Sequence, residues 1–162
     1  MVYFLELIES KGLAELEKVN TLSPEYKLIS DISREIYANR VAIYEDFIDA
    51  NKQLPINEYS MENIEVWFDF IEKNYSFYRC ADITKFSEND EKEFKEVVVF
   101  LSTMLEKNLS GVWVLYDYDD ECAVLINEIH SVDKVLNVIA VILGMMEEGG
   151  FQIAKAIFED IF

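Results

Sequence analysis

Glu62, Glu65, Asp69 and Glu72 recur at three- and four-residue spacing, the most regular set of potentially reactive groups in the chain. At about 100° per residue they fall within an arc of about 80° on one helix face. Like charges aligned in this way cost about 0.2–0.5 kcal/mol per pair, with Lys73 offsetting a little. The chemistry such a stripe suits is recognition of a positive surface. A second set, Glu45, Asp46 and Asp49, sits in the C-terminal half of a long apolar-patterned stretch. Acids there oppose the helix dipole by about 0.3–1 kcal/mol each, so they bring no local benefit. A third set, Asp117, Asp119, Asp120 and Glu121, is interleaved with Tyr116 and Tyr118. With Tyr59, those tyrosines are the aromatic residues expected to act as contact hot spots.

Catalytic and metal-binding alternatives are thin. Asp117, Asp119 and Glu121, followed by Glu128, have the spacing of an EF-hand calcium loop. Its sixth position, where the turn requires Gly, is Cys122, and the flanks are strand-like where helices belong. An acidic hairpin tip is the simpler reading. His130 is the only histidine. A two-histidine metal site within one chain is therefore excluded, and a Cys80–His130 dyad would lack a Gly-rich turn or helix N-terminus at Cys80. The chain has no Gly-rich phosphate loop, no CxxC and no HExxH. The expectation is a protein that is not an enzyme, with no catalytic residues, no cofactor and no metal.

The overall charge narrows the partners. Thirty-two acidic against fourteen basic residues leave a formal charge of −18, beyond the magnitude of about 2–8 usual for a small soluble domain. Such a field repels nucleic acid and anionic membranes and attracts basic proteins. Two cysteines in 162 residues make no disulfide framework. No secretory signal opens the sequence, and Val138–Met146, the longest apolar run, is far short of the ~20 residues of a membrane span. A cytoplasmic protein is expected.

These groups need elements to hold them. Hydrophobic residues make up 51% of the chain and Gly (5) and Pro (2) are scarce, which favours helices in a single domain spanning 1–162. Ser23-Pro24-Glu25 opens a helix of about 23–51, the expected centre of a helical bundle. Ile29, Ile32, Ile36, Ile43 and Phe47 form one apolar strip on it, and Tyr26, Tyr37, Val41, Tyr44 and Ile48 a second. Arg40 falls inside that arc and needs either a carboxylate partner or an aromatic face to stack on, with an internal ion pair the favoured expectation. A short helix interrupted near Gly12 precedes it. Ser60 caps a helix to about Asn74, and Ser87 caps another to about Asn108. Val97–Leu101 also fits a strand, although length and capping favour helix. Val112–Tyr118 is the best strand candidate and, with its return, makes a small β-hairpin over 112–127. Cys122–Ile129 is open to a helical reading. Ser131 is expected to cap a helix carrying Val135, Ile139, Ile142 and Leu143 and ending at Gly149-Gly150, followed by a last helix over 151–161.

The resulting expectation is an acidic inhibitor that occludes a basic toxin or nucleic-acid-acting effector, as immunity proteins and antitoxins do. The alternatives are a DNA mimic directed at restriction or CRISPR proteins, and a non-catalytic subunit whose acidity serves solubility. Reversing Glu62, Glu65 and Asp69 to lysine is expected to abolish partner binding with the fold intact.

Overall fold

A proline in the first turn, an acid beside it and more than two dozen residues without an internal breaker yield the helix α1, Pro24–Ala50. The computed structural model describes residues 24–119 and 122–161. The side chains of Pro24, Tyr26, Tyr118, Asp119 and Cys122 are not part of that description, and the short helix expected around Gly12 lies outside it. Helices α2, Met61–Asn74, and α3, Glu88–Leu109, start where their caps predict. The Asn63 amide donates to Ser60 Oγ at 3.1 Å. Ser87 and Asp90 form a reciprocal capping box, each backbone amide donating to the other side chain at 3.1 Å. Phe77–Arg79 and Ile83–Lys85 are single 3₁₀ turns between these helices. Glu93 of α3 holds the first of them by accepting from the Ser76 and Phe77 amides at 3.1 Å each.

The chain is mainly helical with one small antiparallel sheet. Strand β1, Gly111–Asp119, pairs with β2, Cys122–Ile129, so the helical alternative for 122–129 is replaced by a strand. A third strand, β3, Lys134–Leu136, lies on the other side of β2. This corrects the expected Ser131-capped helix. His130–Val132 is a 3₁₀ turn closed by Asp133 in the left-handed region at φ 52°, and Val135 is an exposed strand residue. The helix starts later, with the Ala140 amide donating to Asn137 Oδ1 at 3.0 Å, and runs as α4, Val138–Gly144. Helix α5, Gly150–Glu159, closes the described chain. A Cβ on Gly150 would fall 1.8 Å from the Gly144 carbonyl oxygen, so only glycine permits this approach of α5 to the end of α4.

Burial is deepest on α3 rather than on α1. Phe94 and every residue from Val97 to Leu105 are buried, so that stretch of α3 is enclosed on all sides by α1, α4 and the sheet. On α1, Ile29, Ile32, Ile36 and Phe47 enter the core, whereas Ile43 is half-buried. The second strip is only partly covered, and Val41 is 63% exposed. Phe100 sits where α1, α2 and α3 meet, its ring 4.9 Å from Phe47 and 5.8 Å from Trp67. The Trp67 indole donates to the Pro55 carbonyl at 2.6 Å. Helix α3 passes to β1 through Ser110 alone, held in the left-handed region at φ 55°.

The Tyr44 hydroxyl is buried and has no hydrogen-bond partner among the described residues. Burial also pushes its phenol pKa upward. Leaving a buried hydroxyl unsatisfied costs about 1–3 kcal/mol. Tyr44→Phe is therefore expected to leave stability unchanged or raise it. Tyr59→Phe, which removes a hydroxyl bonded to the Phe158 carbonyl at 2.6 Å, should lower it by about 0.5–1.5 kcal/mol. Urea denaturation of the two variants compares them.

Candidate functional site

The acidic groups do not stand equally free. On α2, Glu62, Glu65, Asp69 and Glu72 all face outward, opposite the buried residues Ile64, Trp67, Phe68 and Ile71. Glu65, however, is bound to Lys155 of α5. Lys155 is 18% exposed, and its pKa is raised first by the hydrogen bond to Glu65 and then by the charges of Glu65, Glu159 and Glu72. Asp69 pairs with Lys73 at 2.9 Å. The stripe is thus partly neutralised, and Lys155 joins α5 to α2. Reversing Glu65 would set two lysines against each other, so the expectation that this change spares the fold does not carry over.

Of the hairpin set, Asp117 belongs to an ion pair with Arg34 of α1, at 2.9 Å from Nη2 and 3.1 Å from Nε. Tyr116 is half-buried, its hydroxyl 3.5 Å from Glu128 Oε1. Asp120 and Glu121 lie outside the described residues, as do the side chains of Tyr118 and Asp119. Asp117 and Glu128 belong to rungs Asp117↔Ala123 and Val112↔Glu128 of the ladder. They are an odd number of rungs apart and so point to opposite faces of the sheet. A single calcium ion cannot take both, and the acidic hairpin replaces the calcium-loop spacing. Tyr59 is not a surface residue. It is buried, with its phenol pKa pushed up by desolvation and, secondarily, by Glu159.

Glu45, Asp46 and Asp49 are exposed and take part in no ion pair among the described residues. The last turn of α1 contains no base. Asp46 also lines a cleft of about 670 Å³ between α1 and α3. Its walls carry Glu35 and Asp46 from one helix and Glu88, Glu91 and Glu96 from the other, with Lys92 and Lys95 between, over the apolar side chains of Ile43 and Phe47. Lys95 is 14% exposed and bridges Glu35 at 2.7 Å and Glu91 at 3.4 Å, tying the helices together. Glu96 accepts from the Tyr75 hydroxyl at 3.0 Å. Asp46 and Glu88 have no such partner among the described residues. The sequence reading included Asp46 but missed this cleft, because Glu35 and Glu91 are brought together only by helix packing.

Arg40 departs from its expected role. No carboxylate pairs with it among the described residues. Its guanidinium lies over the Tyr37 ring at 4.2 Å and 5.9 Å from the Trp113 ring, and Nη1 donates to the Tyr37 carbonyl at 2.5 Å. Stacking on aromatic faces stands in for the ion pair.

The remaining reactive groups do not converge. Cys80 donates its thiol to the Asp82 carbonyl at 3.3 Å. His130 is exposed and 3.6 Å from Glu128 Oε2. Neither is the other's partner, so the Cys–His pairing has no geometric basis. No group of three or more metal-ligating side chains gathers among the described residues. No helix among them is long and apolar enough to cross a membrane. No family model, curated protein or solved structure matches the chain.

Proposed function

We propose that this protein is a non-catalytic inhibitor of a basic protein, a toxin or nucleic-acid-acting effector, which it neutralises by covering the positive surface, in the manner of immunity proteins and antitoxins. The observation that carries the reading is the set Glu45, Asp46 and Asp49, exposed at the end of α1 with no base in its last turn. Asp49, in that last turn, opposes the helix dipole, and like charges at three- and four-residue spacing repel, so their placement has a cost that a partner's cations would relieve. Charge counting supports it: pairing all fourteen bases would still leave eighteen acids unmatched. Opposite potentials steer such a pair together at rates well above those of a neutral pair.

The test is capture from native lysate at low ionic strength, followed by elution with salt. A basic partner whose activity on nucleic acid falls when this protein is added, and whose affinity declines as screening rises, is the expected result. A DNA-binding regulator or restriction protein captured instead would shift the reading to DNA mimicry. Binding that ignores salt would overturn the charge-based account.

A further inference from the structure

The half-covered strip of α1, with the Tyr44 hydroxyl turned into the protein, combines features that the acidic residues alone do not explain. Tyr37, Val41, Tyr44 and Ile48 recur along one side of the helix, and three of them are only half-buried against the core. Val41 has the highest exposure of the large apolar residues described, at 63%. Beside them Arg40 is held over Tyr37 and Trp113. Its one hydrogen bond among the described residues uses Nη1, whereas a guanidinium offers five donor hydrogens. Tyrosine and arginine held on a rigid support, next to an exposed aliphatic residue, match the composition of interface centres. Along the outer border of the strip stand Glu45, one turn beyond Val41, and Asp49, one turn beyond Glu45, both exposed.

We infer that the Tyr37–Val41–Tyr44–Ile48 strip is the apolar centre of the docking surface, and that its occupant is a basic protein presenting an apolar side chain flanked by Lys or Arg. This rests on the inhibitor reading and adds where the contact is centred. Charge complementarity selects the occupant. Glu45 and Asp49 would meet the flanking cations, while the Arg40 donors not used among the described residues would meet backbone carbonyls of the partner. A second copy of this chain is a poor fit, because two bodies of charge −18 repel each other.

The experiment uses the full-length isotopically labelled protein and two probes at low salt: an amphipathic peptide of Leu and Lys, and an oligolysine of equal charge. Amide shifts caused by the Leu/Lys peptide are expected to concentrate between Tyr37 and Asp49. Val41→Glu, with its fold checked by circular dichroism, should weaken that peptide about tenfold and leave oligolysine binding equal or stronger. The added negative charge works against the loss, so the loss reports apolar contact. Shifts centred on α2 or on the α1–α3 cleft, or an unchanged affinity in Val41→Glu, would overturn the docking centre while leaving the inhibitor reading intact. Failure of both probes to bind would sink the electrostatic reading itself.

Discussion

Phe100→Ala is expected to lower the folding free energy by about 3–5 kcal/mol, the cost of lost transfer energy and of the cavity left behind. Phe100 is 1% exposed, and its ring meets Phe47 of α1 and Trp67 of α2 at once. Neither neighbour is free to collapse into the space. Phe47 is fixed on a long helix, and Trp67 is held by its bond to Pro55. Against a typical total stability of about 5–15 kcal/mol, a loss of this size is a large fraction. Equilibrium urea denaturation should show a lower midpoint at unchanged slope. The exposed Val41→Ala should stay within about 0.5 kcal/mol of the parent. A loss below about 1 kcal/mol at Phe100 would contradict the packing described for this junction.

The second large effect is functional. The triple reversal Glu45→Lys/Asp46→Lys/Asp49→Lys is expected to weaken binding to the basic partner by about 100-fold, mainly through the association rate. Folding should be equal or slightly improved, since a lysine at position 49, in the last turn of α1, gains about 0.3–1 kcal/mol from the helix dipole. Surface plasmon resonance at two salt concentrations measures the first effect and thermal melts the second. Glu62→Lys is the matching control on α2, because Glu62 takes part in none of the ion pairs that involve Glu65 and Asp69. If the triple reversal binds as the parent does, the end of α1 is not the contact.

Local signals were legible in the residues themselves. Ser60 and Ser87 start their helices as their side chains predict, and the aromatic and β-branched run at Val112–Tyr118 forms a strand. Such features depend on neighbours within a few positions. What escaped depends on distant partners. Strand β3 is three residues long and exists because Asn127–Ile129 of β2 accepts it, and so Asn137, not Ser131, caps the next helix. The width of the apolar arc on α1 suggested a central element. Yet the continuous burial of Val97–Leu105 makes α3 the better enclosed helix, and the second α1 strip stays partly open. The candidate site divides in the same way. That Glu45, Asp46 and Asp49 gather like charge toward a helix end follows from spacing alone. That Glu65 is bound to Lys155, Asp117 to Arg34, and Arg40 to aromatic rings instead of an acid follows only from the tertiary packing.

The single-residue joint at Ser110 has a consequence for how this chain tolerates change in length. With Gly111 already in the sheet, a Cβ there would come within 3.0 Å of the Leu105 carbonyl carbon. The passage from α3 to β1 therefore has no slack. An inserted residue would rotate the sheet relative to α3, and α1, pinned to α3 through Lys95 and to β1 through Arg34, would be re-aimed with it. Extra length is better accommodated at Glu147–Gly149, an exposed turn that contains none of the residues of those pins.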